Sequence, residues 1–336
     1  MKFCLHILAG LPDTALAGLD DLLERRRRRG LGDWPAALVL TAPALLILGT
    51  FSLYPMLAAL GMSLRGGKRG DGPFVGLANY AETLSDGEFW RALKVTGYYV
   101  LGTVPMTLLL ALLAALALHR IGRARGLFRT LFFLPYVTSV VAAAMVWRAL
   151  FNPQGGVFNL LLGMLGFGPA NWLLEPRGVL HLLTGGWVPP DFGPSLALCC
   201  VMLFDIWHGM GFMVVVLLAG LSAIPRELEE VARVDGAGRV RTLFSVTLPL
   251  LSPTLFFLAV VGCAKAFQAF NSFYALTQGA GGGSLDTRNM LLYVYAQFYE
   301  YGYWGHATAS ATLLTLAIVL LTAAQWRFIG KRVHYQ

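Results

Sequence analysis

The residues of this sequence that could bind or react are a few polar side chains set inside long apolar stretches. Asp205 and His208 lie in the stretch FDIWHGMGF. Lys265 lies in CAKAFQAFNSF, with Gln268 and Asn271 at helical spacing from it. Ionisable groups inside apolar segments are costly, so they usually pair with each other or face a polar cavity.

Two roles for Lys265 stay open at this point. Asp205 and Lys265 could form a structural ion pair, or Lys265 could contact an anionic or hydroxylated substrate. His208 is predicted to be an interior histidine with satisfied hydrogen bonds. The predicted substrate pathway comprises Asp205, Trp207, His208, Lys265, Gln268 and Asn271.

The sequence offers no clustered catalytic set. Its six histidines are scattered, and no HExxH, GxSxG or paired intramembrane carboxylates occur. Cys4, Cys199, Cys200 and Cys263 show no CxxC spacing, so small apolar roles are expected instead of metal or disulfide sites. We therefore predict no catalytic residue, cofactor site or metal site. No GxxxxGK[ST] phosphate loop occurs either, so any ATP must be bound by a partner.

Composition indicates where these side chains must be held. The 336 residues are 57% apolar and 13% charged, with a mean hydropathy of +0.63, whereas soluble domains usually carry about 25% charged residues. Several apolar runs reach the roughly 20 residues that a membrane-spanning helix needs. Backbone groups in lipid must be satisfied within the segment, which favours helices. The predicted fold class is an all-α, polytopic membrane protein with six transmembrane helices.

The six spans are predicted at about residues 34–62, 94–118, 131–151, 195–221, 250–276 and 304–328. Pro43 and Pro55 predict kinks in the first. The predicted domains are a basic cytoplasmic segment (1–33), the transmembrane domain (34–329) and a cytoplasmic tail (330–336).

Basic residues set the expected orientation. The block Arg25–Arg29, the connections after the second and fourth spans, and the C-terminal tail all carry arginine or lysine. The first outer loop departs from this pattern, but the overall bias predicts both termini in the cytoplasm. These orientation rules explain the net charge of +8. The block Arg25–Arg29 is predicted to contact anionic membrane lipid, and no nucleic acid partner is predicted.

A charged, helix-prone segment at 224–249 separates the fourth and fifth spans. Pro225 suits a first helical position, and Glu227, Glu229 and Glu230 complement the helix dipole. Asp235-Gly236 predicts a turn, because glycine can adopt the left-handed conformation that ends a helix.

The segment is predicted to be a helical hairpin. Its first helix carries an apolar stripe of Leu228, Val231 and Val234, and its second starts at Ala237. Leu248-Pro249 is expected to break the second helix and begin the fifth span. An amphipathic pair lying on lipid headgroups is the alternative.

The hairpin resembles the EAA loop of bacterial ABC importer permeases. The matching runs are Glu229-Glu230-Val231-Ala232, Asp235-Gly236-Ala237 and Thr247-Leu248-Pro249-Leu250. The runs 76–80, 128–135 and 218–225 are also similar to the carbohydrate and glycerol-3-phosphate branch. Three features depart from the family pattern: Val231 in place of alanine, Gly279-Ala280-Gly281 in place of Gly-Gly-Pro, and a longer segment at 175–194.

The resemblance implies a multi-pass permease subunit in a bacterial cytoplasmic (inner) membrane. Its implied partners are a second, non-identical permease, two cytoplasmic ATPase subunits that bind ATP and Mg, and an extracytoplasmic solute-binding protein. Trp207 could then stack on a sugar ring. The residues implied in coupling to the ATPase are Glu229, Glu230, Ala232, Asp235, Gly236, Ala237, Leu248 and Pro249. An ion-coupled secondary transporter of small polar solutes is the alternative, although no inverted repeat is evident.

Overall fold

The computed structural model describes residues 34–121, 125–278, 287–328 and 330. Within these ranges every regular element is helical, which confirms the all-α prediction. The predictions for residues 1–33, Gly279-Ala280-Gly281 and residues 331–336 lie outside the described residues.

The chain divides into two compact units, residues 1–61 and 62–336. In the first, α1 (Trp34–Leu48) continues through a π-helical turn (Gly49–Leu53) into α2 (Tyr54–Ser63), whose last two residues belong to the second unit. The Tyr54 N–H donates to the Gly49 carbonyl five residues back, directly before Pro55. A proline removes one helical hydrogen bond and crowds the preceding turn, and a widened turn accommodates it. The first predicted span is thus a helix over Ala37–Ser63.

The second unit contains thirteen described α-helices. They are α3 (Ala78–Ser85), α4 (Gly87–Arg120), α5 (Arg125–Val137), α6 (Val140–Leu150), α7 (Val157–Met164), α8 (Val179–Leu183), α9 (Leu196–Ala223), α10 (Arg226–Val234), α11 (Arg239–Thr242), α12 (Leu248–Phe267), α13 (Asn271–Thr277), α14 (Met290–Tyr295) and α15 (Trp304–Phe328). Two π-helical turns, Leu243–Thr247 and Ala296–Glu300, join α11 to α12 and extend α14.

Five described helical stretches are long and apolar enough to cross a membrane: Ala37–Ser63, Gly87–Arg120, Leu196–Ala223, Arg239–Phe267 and Trp304–Phe328. The remaining predicted span, residues 131–151, is not one straight helix. Instead α5 and α6 meet at an angle of 94°, and the pair provides a sixth crossing only if it is counted as one broken span.

The bend between α5 and α6 has a local cause. Pro135 lies inside α5 and cannot donate to the carbonyl four residues earlier, and Ser139 has left the helical region with ψ 123°. The Thr138 hydroxyl and N–H both donate to the Pro135 carbonyl, at 2.6 and 3.2 Å. These bonds satisfy the helix end, so the break is a defined feature of the fold.

Helix α9 is the centre of the second unit. It packs along α4 and α5, and α12 packs against α4 and α9. One buried cluster includes Val201 and Phe204 of α9, and a second includes Leu217 together with Leu251 of α12. The core therefore runs the length of α9 and holds its polar residues at fixed positions among α4, α5 and α12.

We expect Gly211→Ala to destabilise this core, because a Cβ on Gly211 would collide with the backbone of Phe132 in α5. Overpacking of this kind costs about 1–3 kcal/mol. The matched control is Gly97→Ala in α4, where a Cβ meets nothing within 4 Å and alanine is the better helix former. Thermal melting of the detergent-solubilised variants should show a lower Tm for Gly211→Ala alone. Equal Tm values for the two variants would contradict the tight α5–α9 contact.

The segments predicted to lie outside the membrane are tied to the helix ends. The Arg177 guanidinium hydrogen-bonds Glu175 and lowers the pKa of that carboxyl. Arg288 lies 3.4 Å from Glu88 of α4 and 3.9 Å from Glu300. Helix α8 lies within the segment at 175–194.

Candidate functional site

The charged hairpin forms where the sequence predicts it. Helix α10 ends at a left-handed residue, Gly236, with φ +79°. The Ala237 N–H donates to the Ala232 carbonyl at 2.9 Å, and the Gly236 N–H donates to the Arg233 carbonyl at 3.0 Å. This pair of bonds is a Schellman motif, which satisfies the last carbonyls of a helix and requires the left-handed residue. The backbone bonds thus account for glycine at 236.

The hairpin presents an uncovered apolar stripe. Val231 and Val234 of α10 are 58% and 88% exposed, and Val240 and Phe244 of the second arm are 69% and 65% exposed. Such a stripe needs a partner or a lipid surface to remove it from water.

Polar groups flank the apolar stripe. Glu230 and Asp235 are exposed beside it, whereas Ala232 and Ala237 are half-buried at the turn. Of Glu229 the structure describes only the backbone. Six of the eight predicted coupling residues therefore lie in α10 and its closing turn.

Leu248 and Pro249 lie elsewhere, and the predicted break before them is wrong. The helix continues from Arg239 to Phe267, because the π-helical turn Leu243–Thr247 widens the backbone just before Pro249. Both residues are half-buried inside this helix. The second arm of the hairpin is consequently the first part of a 29-residue helix, which is about 43 Å long at 1.5 Å per residue.

The far end of that long helix lines a cavity of about 360 Å³ between α4, α9 and α12. Five of the six predicted pathway residues line it: Asp205, His208, Lys265, Gln268 and Asn271. These five residues therefore line one cavity, and their role in a substrate pathway stays a prediction.

Asp205 and Lys265 do not pair with each other among the described side chains. The Asp205 carboxylate accepts hydrogen bonds from the Tyr99 hydroxyl at 2.7 Å and the Ser272 hydroxyl at 2.8 Å. Lys265 instead donates to the Tyr136 hydroxyl at 3.1 Å. Of the two alternatives for Lys265, the structural ion pair does not form, because Asp205 is satisfied by hydroxyl groups on α4 and α13.

The Lys265 ammonium group is held by aromatic rings. It lies 4.6 Å from the ring centroid of Phe212 and 5.4 Å from that of Tyr136. These two rings are themselves stacked at 5.3 Å. Cation–π contacts of this kind hold an ammonium group without neutralising it, so Lys265 presents positive charge to the cavity.

The predicted continuous fifth span to residue 276 is also wrong. Helix α12 ends at Phe267, and α13 begins at Asn271 after a tight turn. The buried Asn289 side chain donates to the Ala269 carbonyl in this turn and also caps α14. Lys265 and Asn271 therefore do not share one helix face, although the turn brings both to the cavity.

His208 and Trp207 have different environments. His208 Nε2 lies 3.4 Å from the Thr138 carbonyl at the α5–α6 bend, which agrees with the predicted interior histidine. Trp207 does not line the cavity, and its ring packs against Trp147 at 5.3 Å. The structure gives no support to the predicted sugar-stacking role of Trp207.

Sequence reasoning missed the aromatic and hydroxyl groups that hold the ionisable ones. Tyr99, Tyr136, Phe212 and Ser272 all line the cavity. Ser272 directly follows Asn271 in the sequence, and that adjacency could have been used. The tyrosines carry no signal that separates them from the other aromatic residues of the spans.

Comparisons with known proteins place these features in context. Residues 107–335 match the family model described as "Binding-protein-dependent transport system inner membrane component". The sn-glycerol-3-phosphate transport system permease protein UgpA of Agrobacterium fabrum is 33% identical over 300 residues, covering 88% of this chain and 95% of that protein. The trehalose/maltose transport system permease protein MalF of Thermococcus litoralis is 31% identical over 291 residues, covering 86% and 91%.

The fold is also similar to a solved structure. A chain from the crystal structure of a bacterial ABC transporter involved in the import of the acidic polysaccharide alginate superposes with a TM-score of 0.71 at 22% identity. The match covers 93% of this chain and 99% of that one. At this level of identity the similarity concerns the fold.

Proposed function

The chain belongs to the family of binding-protein-dependent transport system inner membrane components, and from this premise we propose that it is the permease subunit of an ATP-driven importer for a sugar or a related polyol or glycerol phosphate. The relatives named for sn-glycerol-3-phosphate and for trehalose/maltose support this substrate range. The chain is a multi-pass protein of the inner membrane.

The observation that carries the mechanism is the continuity of the helix from Arg239 to Phe267. Its first turns form one arm of the exposed hairpin, and Lys265 near its last turn faces the cavity. When one end of a rigid helix tilts, the other end tilts with it. Movement of the hairpin would therefore change the walls of the cavity without any intervening joint.

We propose that the hairpin docks on a cytoplasmic ATPase subunit. The apolar stripe around Val234 supplies the buried contact, and Glu229, Glu230 and Asp235 supply polar contacts at its edge. Leu248 and Pro249 act inside the long helix, where they shape its widened turn, instead of at the docking surface. ATP and Mg are bound by the ATPase subunits, and this chain carries out no covalent chemistry.

The remaining partners follow from the same proposal. A second permease subunit completes the pathway, and a solute-binding protein delivers substrate to the outer segments. Closure of the ATPase pair on ATP then opens the cavity to the outside of the membrane, by rigid-body alternating access. Both termini are predicted to lie in the cytoplasm with the hairpin.

Reconstitution tests the proposal. The transporter is assembled in vesicles from the chain, its partner permease, the ATPase subunits and the binding protein. The rate of ATP hydrolysis is then measured with glycerol 3-phosphate, maltose, trehalose or glycerol added. We expect one class of these solutes to stimulate hydrolysis and to accumulate in the vesicles. Accumulation driven by an ion gradient without ATP would contradict the proposal.

A further inference from the structure

A line of aromatic side chains begins at the cavity and continues beyond it. Phe270 lines the cavity, and its ring centroid lies 5.4 Å from that of Tyr274 and 5.3 Å from that of Tyr295. Tyr295 is 4.9 Å from Tyr299. The line ends at Phe298 and Trp304, which stack with a centroid distance of 4.6 Å and an interplanar angle of 10°. We call Phe270, Tyr274, Tyr295, Tyr299, Phe298 and Trp304 the aromatic track.

The track differs from the aromatic core of the same unit. Phe151 and Phe204 in the core are 2% and 0% exposed, whereas Tyr274 and Tyr299 are 41% and 71% exposed. Rings that only fill a core lose their exposure when they pack. Tyr274 and Tyr299 contact other track rings and still keep open faces, and the other four rings are half-buried. The two open rings leave surface for a ligand.

Three of the six rings are tyrosines. A tyrosine has an apolar face and a polar hydroxyl edge, and it loses little conformational entropy when it binds. The Tyr274 and Tyr295 rings meet edge to face, with their centroids 5.7 Å apart. The track therefore offers stacking faces together with hydroxyl groups that could hydrogen-bond a ligand.

We propose that the aromatic track is a second carbohydrate-binding site, which stacks the pyranose rings of an oligosaccharide and leads it to the cavity at Phe270. A pyranose has apolar C–H faces and hydroxyl edges, which matches this alternation of ring and hydroxyl. The proposal rests on the proposed function, since it assumes a sugar as the transported solute. Its continuity with the cavity distinguishes it from an isolated surface patch.

Tyrosine and tryptophan also accumulate at membrane–water interfaces, where they anchor a helix without binding any solute. The two roles respond differently to substitution. An interfacial ring contributes to insertion and stability, and its loss does not depend on the length of a sugar. A stacking ring contributes more as the oligosaccharide grows long enough to cover it.

The experiment uses the assembled transporter in nanodiscs, titrated with glucose, maltotriose and maltopentaose. Binding is measured by tryptophan fluorescence. The fluorescence change of the Trp304→Phe variant is subtracted from that of the parent, which isolates the signal of the stacked Trp304. We expect maltopentaose to bind more tightly than glucose, and Tyr299→Leu to weaken its binding about three- to tenfold. Tyr299→Phe keeps the ring and should remain within about twofold of the parent. Trp187→Leu is the matched control, since Trp187 is 93% exposed and makes no ring contact within the track.

The outcomes separate the site from the proposed function. A Trp304-dependent titration that is lost in Tyr299→Leu supports the track, whichever solute drives ATP hydrolysis. Equal affinity for all three sugars, or a Tyr299→Leu variant that loses only thermal stability, overturns it in favour of interfacial anchoring. Solute-stimulated ATP hydrolysis with no Trp304-dependent titration rejects the track and leaves the proposed function intact.

Discussion

Replacing Gly236 with valine is expected to uncouple ATP hydrolysis from transport. Gly236 has φ +79°, where a residue with a Cβ is strained by about 1–2 kcal/mol, and a β-branched residue by more. The two Schellman bonds at Ala237 and Gly236 depend on this conformation. Each 1.4 kcal/mol is about a tenfold change in population. We therefore expect solute-stimulated ATP hydrolysis and uptake to fall about tenfold or more in reconstituted vesicles.

The chain provides a close control for this experiment. Gly238 lies two residues away, has φ −69° and, like Gly236, has no atom within 4 Å of a built Cβ. Valine adopts that backbone conformation readily, so Gly238→Val should leave coupling near the parent level. Gly236→Asn should retain much of it, because asparagine tolerates the left-handed region. Normal stimulated hydrolysis in Gly236→Val would count heavily against the docking role of the hairpin.

The hairpin could be predicted from the sequence because its determinants are local. Proline at its start, acidic residues in the first turn and Asp235-Gly236 at its end each act within a few residues of themselves. The length and hydropathy of the helical spans are local properties too, and they predict four of them well: Ala37–Ser63, Gly87–Arg120, Leu196–Ala223 and Trp304–Phe328. A structural feature that depends on neighbouring residues in the chain is visible in the sequence.

The cavity was harder to predict because distant groups determine its details. A charge-pairing rule joins Asp205 to Lys265, but hydroxyl groups from α4 and α13 satisfy the carboxylate instead. Apolar continuity predicts a single fifth span, yet the Asn289 side chain binds the carbonyl that the break exposes. Asn289 lies 20 residues from Ala269, so no local pattern reports the contact. Proline also had opposite effects at two places. Pro135 lies next to the sharp bend in the predicted third span, whereas Pro249 lies inside a helix that was predicted to break there.

These corrections sharpen the coupling proposal. A helix that broke at Leu248-Pro249 would put a joint between the hairpin and the cavity, and part of any movement would be lost there. The continuous helix from Arg239 to Phe267 removes that joint. The break that does occur, at residues 268–270, lies beyond Lys265. Under the coupling proposal Lys265 would move with the hairpin, whereas Asn271 and Ser272 belong to a separate element.

Lys265→Met is expected to weaken substrate binding in the cavity while preserving the fold. Methionine has a similar length and packs favourably on the Phe212 and Tyr136 rings, so it fills the same space without the charge. Hydrogen bonds to charged groups contribute about 1.5–3 kcal/mol, which corresponds to about a 10- to 100-fold loss of affinity for an anionic solute. A neutral sugar should lose less. Uptake of glycerol 3-phosphate and maltose at saturating binding protein measures the difference.

Two further variants separate charge from packing at Lys265. Lys265→Arg keeps the positive charge and should retain most of the anion uptake. Tyr136→Phe removes the only described hydrogen-bond acceptor of the ammonium group but leaves its contact with Phe212. If Lys265 binds substrate, Tyr136→Phe should have a smaller effect than Lys265→Met. Unchanged substrate affinity in Lys265→Met would remove the binding role and leave the lysine as a packing element between two aromatic rings.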